Sequence, residues 1–299
     1  MAAMPEHPLH RPVLSWYAVH ARELPWREPE CSPWGVLVSE VMLQQTPVVR
    51  VLPAWQQWLE RWPAPAALAA DSPGEAIRLW NRLGYPRRAL RLHEAAVAMV
   101  ERHGGEVPPS VEDLLALPGI GAYTAAAVAT FAFGQRHAVV DTNVRRVHAR
   151  AVTGHQHAAP ALTAVESRLA ASLVPDDPAS AARWAVAGME LGALICSARA
   201  PRCGDCPVAG LCRWRLDGSP AHDGPPRRGQ TYAGTDRFVR GLILGALRAA
   251  DHPTVAPSAL VAAAPDAVLR DPGQRDRCLD SLVADGLVEP VDGGYRLPR

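Results

Sequence analysis

The sequence predicts an all-α protein with a small module appended after a linker, and three observations predict it. Between residues 12 and 219, apolar side chains recur at three- and four-residue spacing in successive runs separated by Pro and Gly. No alternating, strand-like pattern of any length interrupts these runs. After residue 235 the texture changes to short helical faces and a terminal stretch built around a Gly-rich turn.

Residues 1–10 read as a loose tail. Amphipathic helices are expected over Val13–Val19, Val48–Trp62, Gly74–Leu83, Arg88–Arg102, Val111–Leu117 and Leu162–Leu173, with an apolar one over Ala122–Phe133. Residues 217–235 are rich in Gly, Pro and polar side chains and look like a linker, which separates a region ending at 219 from one beginning at 236, so the linker proper is 220–235. Within 236–299, Phe238, Leu242, Ala246 and Ala249 share one helical face. Further helices fit Ser258–Ala264 and Arg275–Asp285. Leu287–Val291 and Tyr295–Leu297 flank Asp292-Gly293-Gly294 as a hairpin. Three helices and a hairpin predict a winged-helix-like module, with either duplex DNA or a protein as its partner.

The chain has 299 residues and a net charge of +1, so overall charge does not announce a polyanionic partner. Distribution says more. There is no lysine, and all 31 basic residues are arginine. They gather at Arg87, Arg88 and Arg91, at Arg145, Arg146 and Arg150, at Arg199 and Arg202, and at Arg227 and Arg228. Arginine forks suit phosphate oxygens, and solvated helix faces in an arginine-biased composition give the same pattern. No apolar run approaches the ~18 residues a membrane span needs, and residues 1–11 lack the apolar core of a secretory signal. A cytoplasmic protein is expected. In that compartment six cysteines point to metal rather than to disulfides.

Four of them, Cys196, Cys203, Cys206 and Cys212, form C-x6-C-x2-C-x5-C within one 17-residue segment. Four thiolates suit zinc or an iron–sulfur cluster. Zinc ribbons pair two C-x2-C knuckles, whereas one such pair with uneven flanks favours iron–sulfur. Cys31 and Cys278 lie outside the pattern and read as small packed hydrophobes.

Leu117-Pro118-Gly119-Ile120-Gly121 separates two helices. Gly119 and Gly121 let such a turn adopt positive φ and bring backbone N–H groups to a phosphate, with the next helix presenting its positive end. A tight interhelical turn with no ligand is the plainer alternative. Asp141, after the apolar run 138–140, reads as a helix N-cap or as a functional carboxylate. Glu40 sits among Val38, Val41, Met42 and Leu43, where an acid tends towards a raised pKa suited to a general acid. Its alternative is a helical Glu turned to solvent.

The hairpin, the Asp downstream of it and the cysteine loop together resemble the helix-hairpin-helix DNA glycosylases of the endonuclease III and MutY group, over residues 12–215. Arg22-Glu23-Leu24-Pro25-Trp26-Arg27, Ser39-Glu40-Val41-Met42-Leu43-Gln44-Gln45-Thr46 and Glu190-Leu191-Gly192-Ala193-Leu194-Ile195-Cys196 point to the MutY branch. The resemblance implies a two-lobed helical catalytic region over 1–219, with one lobe at 31–135 and the other joining 12–30 to 136–219. It also implies a [4Fe–4S] cluster on the four cysteines. Glu40 and Asp141 would be the catalytic pair, positioned by Tyr123 and Asn143. Gln45 and Tyr85 would help open the duplex. Arg22, Leu24, Trp26, Arg27 and Glu190 would line an adenine pocket, core packing being the alternative for Leu24 and Trp26. The expected partner is double-stranded DNA carrying adenine opposite 8-oxoguanine or guanine. The enzyme would act as a nucleoid-associated monomer in base excision repair.

Bifunctional relatives place a catalytic lysine in the hairpin, where this chain has Tyr123. A Schiff base needs an amine, so monofunctional excision is expected. Many members of the group also carry a C-terminal domain resembling a nucleotide hydrolase that inspects 8-oxoguanine. Residues 236–299 show no such pattern, which puts the 8-oxoguanine preference in doubt more than the adenine one. The alternatives are a mismatch thymine or uracil glycosylase on the same scaffold and a non-catalytic iron–sulfur DNA-binding redox sensor.

Overall fold

The computed structural model describes residues 7–222, 224 and 232–299. The start of the expected tail, residues 1–6, and the expected linker at 223 and 225–231 lie outside the described residues. The chain forms two compact units, each woven from separate stretches: 1–36, 109–115 and 120–226 in one, 37–108, 116–119 and 227–299 in the other. Residues 232–299 thus share a unit with 37–108. No helix among the described residues is long and apolar enough to cross a membrane.

The first unit holds α1 (His10–His20) and begins α2 (Pro33–Leu43), whose later turns belong to the second. The second unit continues with α3 (Val48–Arg61), α4 (Pro65–Ala69), α5 (Pro73–Trp80) and α6 (Arg87–His103). The first resumes with α7 (Val111–Leu115), α8 (Ala122–Phe131), α9 (Thr142–His148), a π-turn at Ala149–Thr153, α10 (Ala164–Ser172), α11 (Pro178–Leu194) and α12 (Arg213–Leu216). The second ends with α13 (Asp236–Ala249), α14 (Pro257–Ala263), α15 (Gln274–Ala284) and the antiparallel pair β1 (Glu289–Val291) and β2 (Gly294–Arg296). The helix-rich expectation holds.

Local chemistry sets the boundaries. Asp177 caps α11 by accepting from the Ser180 N–H at 2.8 Å, with Pro178 in the first turn. Thr163 and Glu166 form a capping box on α10. Gly104, at φ +62°, ends α6.

The core of the first unit lies between α1 and α11. Val13 and Trp16 meet Trp184, Ala187 and Leu191, and Val208 of the cysteine loop packs onto the same cluster. In the second unit Trp58, Trp62 and Trp80 pack edge to face, with ring centroids 4.6 and 5.6 Å apart.

Candidate active site and cysteine loop

Glu40 lies on α2 and is 5% exposed, flanked by Val38, Val41 and Met42, all buried. It is therefore not a solvent-facing helical Glu. At the end of α2 the chain turns through Gln45, which is exposed and holds φ +54°. Tyr85, in the turn between α5 and α6, is also exposed and holds φ +47°. Non-glycine residues with positive φ are uncommon, and strong local contacts are needed to hold them there.

Arg88 supplies those contacts. One of its terminal nitrogens donates to the carbonyls of Val41 (2.8 Å), Met42 (3.1 Å) and Gln44 (2.7 Å). The other donates to Thr46 Oγ1 (3.1 Å) and the Gly84 carbonyl (3.0 Å). The guanidinium also lies over the Trp80 and Tyr85 rings at 5.1 and 5.5 Å. One arginine thus ties the Gln45 turn to the Tyr85 turn. Burial pulls its pKa down to about 10, which leaves it charged at neutral pH.

The hairpin turn differs from expectation at one glycine. Gly119 has φ +76°, and a Cβ there would fall 2.5 Å from Arg91 Cβ. Gly121 has φ −96° and caps α8 in extended backbone. A Cβ built on it meets nothing within 4 Å, so neither left-handed geometry nor packing within the chain requires glycine there.

Asp141 fulfils the capping expectation and remains available as a functional carboxylate. Oδ1 accepts from the Val144 N–H at 2.7 Å, and Oδ2 accepts from Asn143 Nδ2 at 2.7 Å. Burial raises its pKa, while these hydrogen bonds and the Arg146 charge oppose the rise, and the net direction is upward. Tyr123 packs against a cluster containing Ala127, Val139 and Ala185.

Asn143 is held in turn. Its Oδ1 accepts from an Arg146 terminal nitrogen at 2.7 Å, which also donates to the Gly192 carbonyl at 2.7 Å. Arg146 Nε donates to the Cys196 carbonyl at 2.6 Å. Gly192 permits the approach, because a Cβ there would lie 2.6 Å from Asn143 Cβ. Arg150, 1% exposed, reaches Cys196 Sγ (3.4 Å) and the carbonyls of Ser197 (2.7 Å) and Ala198 (3.1 Å). Arg145 pairs with Glu166 at 2.9 Å. Arg145, Arg146 and Arg150 are therefore each engaged by carbonyls or side chains of the first unit. The sequence signal was the knot itself, with no sign of its direction.

Two of the expected base-pocket residues, Arg22 and Arg27, converge on a third, Glu190. Glu190 is fully buried on α11. Its Oε1 accepts from the Arg22 backbone N–H (3.0 Å) and Nε (2.7 Å), and its Oε2 from a terminal nitrogen of Arg22 (2.7 Å) and one of Arg27 (2.9 Å). Desolvation would raise its pKa, yet the two arginines outweigh burial and bring it down to about 2. Leu24 and Trp26 are 6% and 7% exposed, between the two arginines in sequence.

All four cysteines of the loop are free thiols. Burial pushes the Cys206 thiol up to about 11, the neighbouring Cys196, Cys212 and Cys203 add to the rise, and Cys212 moves the same way. Ionising these thiols together would set like charges against one another, which a cationic iron–sulfur core would relieve, so the donor set fits an iron–sulfur group. Among the described residues no three His, Cys, Asp or Glu side chains converge tightly enough for a single metal ion.

This fold and loop define a helix-hairpin-helix base excision repair protein. The model of the HhH-GPD superfamily base excision DNA repair protein matches residues 38–169. The iron–sulfur binding domain of endonuclease III matches residues 196–212, a span that starts and ends on cysteines of the loop. The cofactor is accordingly a [4Fe–4S] cluster. An adenine DNA glycosylase of Mycobacterium tuberculosis is 51% identical over 98% of this chain and 95% of its own length. The adenine DNA glycosylase of Mycolicibacterium smegmatis is 54% identical over 95% and 94%. A thermostable thymine-DNA glycosylase of known structure is 28% identical with a TM-score of 0.62, over 70% of this chain and 95% of that one. The chain belongs to the adenine DNA glycosylase family.

Proposed function

We propose that the protein is a monofunctional adenine DNA glycosylase, removing adenine mispaired with 8-oxoguanine or guanine in base excision repair. The observation that carries this reading is a carboxylate pair in a chain without lysine. Glu40 is buried on α2 and Asp141 is fixed by two 2.7 Å hydrogen bonds.

Adenine cannot be reached inside the stack, so the nucleotide is turned out of the duplex. Gln45 and Tyr85, exposed on turns tied together by Arg88, suit the opening step. Adenine departs poorly as an anion. Glu40 as general acid protonates N7, so the base leaves neutral, and the resulting carboxylate then activates water. Bond cleavage leaves oxocarbenium character on the sugar. Ionised Asp141, oriented by Asn143, stabilises that charge. With Tyr123 at the hairpin position where bifunctional relatives carry lysine, no side chain forms a Schiff base.

Leu24 and Trp26 contribute the apolar side of the base pocket. Arg22 and Arg27 act through Glu190, fixing the backbone between them rather than offering free cations. Gly119 and Gly121 shape the turn that meets the DNA backbone. Cys196, Cys203, Cys206 and Cys212 would hold the [4Fe–4S] cluster, which when bound orders the loop, and excision needs no step through it. The protein acts as a monomer in the nucleoid.

Excision from duplexes carrying A, T, U or G opposite 8-oxoguanine, G or C tests the reading. Adenine alone should be released. Preferential release of thymine would support instead the second reading, which the likeness to the thymine-DNA glycosylase favours.

A further inference from the structure

Three arginines on the third helix and the hairpin of residues 232–299 are already partnered by carboxylates of the same module. Arg275 pairs with Asp266 at 2.5 Å, Arg277 with Asp271 at 2.8 Å and Arg296 with Glu289 at 2.9 Å. What the module grips closely is α5 and the start of α6, the two helices joined by the Tyr85 turn.

The grip on α5 is reciprocal. Arg248, at the end of α13, donates through Nε to the Ile77 carbonyl at 3.0 Å. Arg78 of α5 donates back to the Arg248 carbonyl. Each arginine therefore serves carbonyls near the C-terminal end of the other helix, where intrahelical partners run out. Near the start of α5, the Gly74 N–H donates to the Pro298 carbonyl at 2.8 Å, and any Cβ at Gly74 would collide with that oxygen. On the far side of the turn, Arg87 of α6 pairs with Asp285 at 3.3 Å, and Asp285 is fixed by Arg240 at 2.5 Å.

We infer that residues 232–299 are a brace for the Tyr85 turn: Arg248 and Asp285 are positioning residues that hold α5 and α6 so that Tyr85 meets the duplex in its opening geometry. The inference rests on the reading of Tyr85 as a duplex-opening residue. Arg88 clamps the turn from within, and the module holds its two stems. Removing the module would uncover Gly74, Ile77 and the α5 carbonyl end, so a chain ending near Asp217 is not expected to keep the turn in place.

The test uses the full chain with Arg248→Met, which keeps the aliphatic stem, and Arg87→Gln, a milder change at the surface of the same unit. Thermal melts and iron content establish that each variant is folded. Single-turnover excision, salt-dependent binding and the fluorescence of 2-aminopurine beside the mispair are then measured, alone and with Tyr85→Ala. The brace predicts an excision rate lowered about tenfold by Arg248→Met and less by Arg87→Gln. It also predicts a smaller unstacking signal, an unchanged salt slope of binding and no additional loss when Tyr85 is already Ala. A flattened salt slope with uniformly weaker binding would show that the module contacts DNA itself and overturn the inference. So would an unchanged rate in folded Arg248→Met, or a full additional loss on top of Tyr85→Ala. If Tyr85→Ala alone leaves excision and unstacking intact, the duplex-opening reading is what fails. If Arg248→Met does not fold, Arg87→Gln with the same Tyr85 cycle decides, and an unchanged unstacking signal there would equally overturn the brace.

Discussion

Arg146 joins the cysteine loop to Asp141, the proposed catalytic carboxylate, through one residue, Asn143. Its Nε donates to the Cys196 carbonyl, and a terminal nitrogen donates to Asn143 Oδ1, whose amide in turn holds Asp141 Oδ2. The loop thereby bears on the orientation of Asp141. Arg146→Leu should leave these acceptors and the Gly192 carbonyl unpaired, at ~1–3 kcal/mol for each buried group. Expected are single-turnover excision slowed by at least ~10-fold and faster loss of iron on incubation. A variant with full iron and wild-type rate would break the link.

Glu40→Gln removes the proposed proton donor while keeping the shape of α2. Excision should fall by at least ~10²-fold with duplex binding largely intact. Near-normal adenine release would move the acid elsewhere.

Asp141 gives a pH dependence. Its folded pKa lies above the ordinary 3.8 because burial outweighs its hydrogen bonds. The protonated form therefore gains in the fold, and the reactive ionised form is lost as pH falls through that raised value. The acid limb of the single-turnover rate should lie above pH 3.8. Asn143→Ala, which removes a hydrogen bond favouring ionisation, should carry the limb to higher pH. A limb shifted downwards would contradict the role given to Asn143.

Glu190 has the opposite sign. Its folded pKa of about 2 is below the ordinary 4.5, so its contribution to stability is complete above pH 4.5 and is lost as pH falls towards 2. Glu190→Gln should destabilise by about 3 kcal/mol, at the low end for breaking a buried pair because Arg22 stays 35% exposed. Urea melts at pH 6 and pH 3.5 should show the gap between variant and wild type narrowing at the lower pH.

The helices were legible because their information is local. Apolar spacing marks α3 and α6, and Asp141 caps α9 from one residue away. The cysteine spacing and the hairpin were legible for the same reason. What pairs at long range was not. Nothing near Glu190 signals that Arg22 and Arg27, more than 160 residues earlier, saturate it. Arg88 and Arg146 looked like surface charge because composition carries no direction. The spacing of Gly119 and Gly121 does not say which of them takes positive φ, and only the backbone shows that Gly119 does and Gly121 does not. The seating of Pro298 on Gly74 joins residues 224 positions apart and left no trace in the local pattern.

The account turns on adenine being excised by two carboxylates without an amine. The most direct measurement is single-turnover reaction with duplex carrying adenine opposite 8-oxoguanine, in the presence of borohydride, resolved with and without alkali. The account predicts free adenine and an intact strand that breaks only on alkali or heat, with no protein–DNA adduct formed at the rate of excision. An adduct accumulating at that rate, or release of thymine and not adenine from the matching G mispair, would contradict it.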